Sequence, residues 1–225
     1  MNMMNIIYTA ITGQYDSLKP HPAVGDVRFI AFLDDHRRQS VEGWEVRSLT
    51  LTSTDPVRCA KRYKILAHEV VPEADYSLWV DGSIRIREGF DWDALVDTYL
   101  SSHDLALFRH YCRGCAYVEA EVCVLRGLDN RDIIRRQMQG YLVDGYPRDN
   151  GLVEASVVLR RHTPSVEVVN TAWWREISIG SRRDQLSLNY VLWKLGVGYQ
   201  ALPGSLQANV FFERLPHQVS RSRVL

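Results

Sequence analysis

The sequence has no surplus of charge. Its 225 residues carry 27 Lys and Arg against 27 Asp and Glu, which leaves no bulk electrostatic footprint for nucleic acid or an acidic membrane surface. An anionic ligand must therefore be held locally. Cysteine is scarce: Cys59, Cys112, Cys115 and Cys123 are too few for a disulfide scaffold. The Cys-x-x-Cys of Cys112 and Cys115 lacks the second pair that a structural zinc site needs, so reduced thiols are expected. No apolar run approaches the roughly 20 residues of a membrane span, and Met1 to Ala10 lacks the basic region and cleavage site of a signal peptide. The expected compartment is the cytoplasm. Gly-x-Gly-x-x-Gly after the first strand, Gly-x-Ser-x-Gly and His-Glu-x-x-His are also missing, which argues against a Rossmann dehydrogenase and the common hydrolases. With no repeat, low-complexity tract or Pro/Ser-rich linker, one domain over residues 1–225 is the simplest organisation.

What is present is an alternation of apolar strands and amphipathic helices. Asn5 to Ile11 and Val27 to Leu33 are β-branched apolar runs that stop at polar turns, and a weaker run lies around Trp44 to Leu51. Asp55-Pro56 has the form of a helix start, with Asp55 as N-cap and Pro56 where a missing N–H is harmless. The helix is expected to reach about His68. Cys59, Tyr63, Leu66 and Val70 would form its apolar stripe, and Arg58, Lys61, Arg62 and Lys64 its remaining surface. Tyr76 to Val80 reads as a central strand ending at Asp81-Gly82-Ser83. Further strands are expected at Leu105 to Phe108 and Val153 to Arg160, with helices at Trp92 to Leu100, Val118 to Leu125, Arg131 to Leu142, Val166 to Ile177 and Gln185 to Leu195. This order predicts an α/β fold with a mostly parallel central sheet and helices on both faces, binding ligands at the carboxyl ends of its strands.

Three polar clusters, Thr12 to Asp16, Asp34-Asp35 and Asp81 to Ser83, directly follow apolar strands and would gather on that edge. A diphosphate leaving group needs charge neutralisation, which a carboxylate-held divalent cation supplies. Asp81 is the best ligand for one, with the Ser83 hydroxyl as a weaker neighbour. Asp-Gly is equally a common turn dipeptide. Arg58, Arg62 and Lys64, on the helix that precedes this strand, can reach a nucleotide or its phosphates, or they form a solvated face. His110, Arg113 and Glu119 gather in a loop and early helix and would shape a donor or acceptor pocket. Glu154 is an acid in an apolar strand, costly unless paired, and suits either that pocket or a structural arginine pair. Trp173-Trp174 favours core packing over a sugar platform.

Tyr8 to Asp16, Lys61 to Leu66, Tyr76 to Ile84, His110 to Ala120 and Ser181 to Trp193, taken as an ordered series, resemble the plant mucilage-related, glycosyltransferase-like domain family. That family is similar to glycogenin and to retaining bacterial galactosyltransferases of the nucleotide-sugar-binding GT-A fold. The resemblance implies that Thr9, Thr12 and Tyr15 border the nucleotide, that Arg62 helps to hold it, and that Asp81 opens the metal motif. His217, in Leu215-Pro-His-Gln218, would be a third ligand for Mn2+ or Mg2+, although an exposed histidine in a polar tail is the competing reading. Asp184-Gln185 would lie beside the donor sugar, and Asp184 also suits a helix N-cap. The relatives carry Asp-x-Asp where this chain has Asp81-Gly82-Ser83, so one carboxylate is missing. The expected activity is transfer of a sugar from a nucleoside diphosphate sugar, UDP-linked by preference, to a glycan or other hydroxyl acceptor, with retention. The alternatives are a non-catalytic nucleotide-sugar or glycan-binding module and, less favoured, a metal-dependent hydrolase.

Overall fold

A computed structural model describes residues 3–13, 15–34 and 41–217. The elements run β1 (Asn5–Ile11), β2 (Val27–Leu33), β3 (Trp44–Ser48), α1 (Pro56–Ile65), α2 (Ala67–Val70), β4 (Tyr76–Val80), β5 (Ile84–Ile86), α3 (Trp92–Tyr99), β6 (Leu105–Arg109), α4 (Ala116–Leu125), α5 (Arg131–Val143), β7 (Val153–Arg161), α6 (Pro164–Ile179), a 3-10 turn (Asp184–Leu186), α7 (Leu188–Leu195), β8 (Gln200–Leu202) and β9 (Phe212–Arg214). The helix starts are chemically determined. The Asp55 carboxylate accepts from the Val57 N–H, and the Asn130 side chain accepts from both Asp132 and Ile133 N–H. Pro56 and Pro164 occupy first-turn positions.

Seven strands form the main sheet in the order β3-β2-β1-β4-β7-β6-β8. Only β7 runs against the others among the described strands. Side chains alternate across the pleat, so Ile6, Tyr8 and Ala10 of β1 join the apolar layer under α1 and α4 to α7. Ile7 joins the opposite layer with α3 and the small antiparallel sheet β5-β9. The α/β fold with a mostly parallel sheet covered on both faces is as expected. The two-stranded sheet and β8 have no counterpart in the sequence reading, because three-residue strands carry too little periodicity to register. The helix expected to reach His68 ends at Ile65 and re-forms as the short α2, with the Leu66 N–H donating to Arg62 O at the break. Among the described residues, no helix is long and apolar enough to cross a membrane.

A buried cation and a half-buried neutral histidine tie the layers together. Arg160 of β7, wholly buried, donates to the Tyr8 hydroxyl (3.2 Å) and to Lys64 O (3.0 Å), and Tyr8 donates to the same carbonyl (3.1 Å). Lys64 O lies in the last turn of α1, whose carbonyls have no partner within the helix and carry its negative dipole end, so a guanidinium suits it. At the far end of β7, His162 and the Ser77 hydroxyl of β4 hydrogen-bond at 2.8 Å. Burial first, then the Arg160 charge, pulls His162 down to about 4. The folded protein therefore resists protonation that the unfolded chain accepts near pH 6.5, so this contribution is complete above pH 6.5 and is lost as pH falls towards 4. His162→Gln is expected to flatten the decline of Tm over that window, by an equivalent of roughly 3 kcal/mol at its acid end; an unchanged slope in a pH-resolved melting series would contradict this.

Candidate active site

The strand ends converge as the parallel sheet requires. Ile11 of β1, Leu33 of β2, Val80 of β4 and Arg109 of β6 finish on one edge, and β7, running the other way, begins there with Val153 and Glu154. The loops after β1, β4 and β6 and the start of β7 line a cleft of about 470 Å³. Asp34 caps the first loop by accepting from the Gly13 N–H (2.6 Å), and the Thr12 hydroxyl donates to Pro56 O (3.0 Å). Asp35 and Gln14 lie outside the described residues.

The floor of the cleft is a network of carboxylates and ammonium groups. Asp81 Oδ1 accepts from Trp79 Nε1 (2.7 Å) and Lys64 Nζ (3.2 Å). The same Lys64 Nζ lies 2.7 Å from Asp184 Oδ2, and Lys61 Nζ reaches that oxygen at 2.7 Å. Burial works to raise Asp184, but the charges of Lys61, Lys64 and Arg183 outweigh it and hold the carboxyl far below its usual range. Asp81 is treated likewise by burial on one side and by Lys64 and Lys61 on the other, and ends below its ordinary value. The two lysines diverge. Lys64 touches both carboxylates, which overcome its burial and raise it, whereas Lys61 has one carboxylate and a neighbouring ammonium, so burial wins and lowers it. Asp184 sits in a 3-10 turn whose Asp184 O accepts from the Trp173 indole N–H at 3.2 Å, so Trp173 is a core residue that positions this turn.

A second group occupies the other wall. Glu119 takes the Arg113 guanidinium in a tight ion pair. His110 Nδ1 accepts from the Cys112 and Arg113 N–H groups (3.3 and 3.2 Å), and Nε2 faces Glu154 at 3.9 Å. Burial and the Arg113 charge keep His110 below its usual value. Glu154 is buried. Gln207 donates weakly to Oε1 (3.5 Å), Oε2 has no hydrogen-bond partner, and burial pushes the acid up. A register irregularity puts it there: Leu107 pairs with Val158 but Phe108 with Glu154, so residues 155–157 bow out of the β6 ladder.

Of the residues singled out from sequence, Thr12, Tyr15, Lys64, Asp81, Ser83, His110, Arg113, Glu119, Glu154, Asp184, Gln185 and His217 all line the cleft. Three do not. Arg62 pairs with Glu69 at 2.5 Å on the surface. Arg58 donates to Ile177 O and to Gly180 O (2.9 Å), satisfying carbonyls at the end of α6. Thr9 is buried in β1 beside a separate void of about 10 Å³. The helix turns its lysines inward and these arginines away from the cleft. Lys61 was read as surface because a charge at a helical position counts as polar, and only the buried acids opposite make its burial affordable. Asp16, Trp79, Arg126, Arg183 and Arg214 also line the cleft, and Arg126 and Arg214 sit in segments without a strong periodic signal.

The divalent ion implied by the family does not fit these donors. Asp81 already has Lys64 as counter-ion. The buried Ser83 supplies a hydroxyl where a second carboxylate is expected. His217 Nδ1 lies 2.9 Å from Asp16 Oδ2, with its ring against Tyr15. Among the described residues, no three His, Cys, Asp or Glu side chains come together as a metal site.

This sheet, with a carboxylate-bearing turn after β4 and an Asp-Gln turn joined to it through Lys64 at the strand ends, is a glycosyltransferase fold of the GT-A kind. It superposes on mouse xyloside xylosyltransferase 1 with a TM-score of 0.52 at 9% identity, covering 89% of this chain and 85% of that one. The bifunctional glycosyltransferase WbbM gives a TM-score of 0.50 at 9% identity, over 89% of this chain and 39% of that one. The chain belongs to the TOD1/MUCI70, glycosyltransferase-like domain family, whose model matches residues 3–218. It is 26% identical to a probable hexosyltransferase, MUCI70 of Arabidopsis thaliana, over 83% of this chain, and it spans 36% of that relative's length.

Lys64→Met leaves Asp81 with no ammonium and Asp184 with only Lys61. Removing one partner of a buried ion network typically costs about 3–5 kcal/mol, so urea unfolding should show a loss of that order; a loss below about 1 kcal/mol would mean that the network is loosely coupled.

Proposed function

We propose that this cleft binds a nucleoside diphosphate sugar and transfers its glycosyl group to a hydroxyl of a glycan or other acceptor. The observation that carries this reading is the pairing of Asp184 with Lys61 and Lys64 directly across from Asp81, at the strand-end edge of a GT-A-like sheet. UDP-sugars are the donors to test first, as the family resemblance suggests. In the reaction, the bond between the anomeric carbon and the phosphate oxygen breaks and its electron pair leaves on the diphosphate. The acceptor oxygen bonds to that carbon and its proton passes to the departing phosphate oxygen, a front-face course that retains configuration.

The chain's groups have distinct parts in this scheme. Fixed cations around the cleft stabilise the charge that develops on the leaving group, without reorganising at the moment of reaction. Asp184 and Gln185 orient the sugar hydroxyls, with Asp184 immobilised by its two ammonium partners. His110 and Glu154, both buried, form the wall where an acceptor hydroxyl docks, and the unpartnered Glu154 Oε2 is free to take a hydrogen bond from it.

The second reading, a binding module without turnover, is favoured by the single carboxylate of the Asp81-Gly82-Ser83 turn. The two separate in one assay. Purified protein is mixed with UDP- and GDP-sugars, and both thermal shift and released nucleoside diphosphate are followed. The transferase reading expects one donor to raise Tm and to be turned over, with Gln185→Ala, which removes a group that orients the sugar, lowering turnover on the order of 100-fold while the protein stays folded. A Tm rise with no release supports the binding module, and no Tm rise with any donor sinks both.

A further inference from the structure

Three features of the cleft point the same way. Each carboxylate that the resemblance assigns to a metal or to the sugar already has a cation: Lys64 bridges Asp81 (3.2 Å) and Asp184 (2.7 Å), and Lys61 adds a second ammonium to Asp184 (2.7 Å). Two acids meet two ammonium groups, so a divalent ion would find no uncompensated charge and would be repelled by the lysines. The turn itself is packed tightly on the side away from the lysines. A Cβ at Gly82 would lie 2.9 Å from Asp16 Cβ and 3.2 Å from Ile11 Cγ1, which packs the Asp81 turn directly against the loop whose Asp16 engages His217. Finally, six cations line the cleft, Lys61, Lys64, Arg113, Arg126, Arg183 and Arg214, against five acids, Asp16, Asp81, Glu119, Glu154 and Asp184. Arg126 and Arg214 are exposed there and form no ion pair among the described residues, although the Arg214 charge acts on Glu154 from beyond ion-pair distance.

We infer that the cleft binds the diphosphate of its donor without a divalent cation: Lys64 is the standing counter-ion of Asp81, and Arg126 and Arg214 take the phosphate oxygens. The inference rests on the transferase reading and deepens it. A planar guanidinium presents two parallel N–H groups to a phosphate, and an arginine without a carboxylate partner loses no ion pair when it turns to one. The lysines keep Asp81 and Asp184 from repelling the incoming anion, a task that a bound metal would otherwise perform.

The test is a calorimetric titration of the full chain with UDP, and in parallel GDP and ADP, in EDTA and again in MnCl2. The expected result is binding of at least one nucleotide in EDTA, with a Kd within about threefold of that in manganese. Arg126→Gln and Arg214→Gln, both at exposed positions where folding is not at stake, should each weaken it by about tenfold in either buffer, the worth of a charge-assisted hydrogen bond. Binding that appears only with manganese, or tightens more than about tenfold with it, overturns cation independence and leaves the transferase reading standing. Unchanged affinity in both arginine variants overturns their assignment. No binding of any nucleotide in either buffer overturns this inference together with the nucleotide-sugar donor on which it rests.

Discussion

Lys64 holds this molecule together at both of its ends. Its ammonium lies between Asp81 and Asp184, and its carbonyl oxygen is taken by the Tyr8 hydroxyl and the Arg160 guanidinium. One residue thereby connects β1, β4, β7, α1 and the 3-10 turn before α7. Burying an ammonium is costly unless its charge and hydrogen-bonding capacity are met, so the cost is acceptable only when every one of these elements is in place. The phase of α1 follows from this. A slip by one residue would offer Tyr63 or Ile65 to the two acids, and neither carries a charge.

The fold was largely legible because its signals are local. The apolar runs at Asn5–Ile11, Val27–Leu33 and Tyr76–Val80 coincide with β1, β2 and β4, and Asp55-Pro56 marks the start of α1. The reversal of β7 was hidden, since an isolated strand has the same composition in either direction and only its pairing with β4 and β6 fixes its sense. The site was legible where a polar residue interrupts an apolar run, as at Asp81 and Glu154, or opens a helical segment, as at Asp184. It was misread on α1, where four basic residues look alike in sequence. Burial of Lys61 and Lys64 depends on acids 17 to 123 positions away, while Arg58 and Arg62 are drawn to a carbonyl cluster and to Glu69. No periodicity within one helix encodes those distant partners.

The two walls of the cleft differ in character. Around Asp81 and Asp184, every charge is balanced and fixed at hydrogen-bond distance. Around His110 and Glu154, burial depresses the base and raises the acid, so both lean towards their neutral forms. The first environment is a set of fixed charges that cancel one another. The second sets two near-neutral groups beside the Arg113–Glu119 ion pair, so hydrogen bonding is polarised there without a net charge on the groups themselves.

The reversed strand has an architectural consequence. Strands β1, β2, β4 and β6 reach the cleft as they end and hand it the loops that follow, whereas β7 delivers Val153 and Glu154 as it begins. The incoming peptide is pinned there, with the His110 N–H donating to Leu152 O (2.8 Å) and the Val153 N–H donating to Asn189 Oδ1 (3.0 Å). The approach from α5 is anchored too, with Tyr146 buried in the core and Asp144 paired with Lys194 of α7. The place of Glu154 in the cleft therefore depends on how this approach is anchored, whereas Asp81 and His110 depend on where their strands stop.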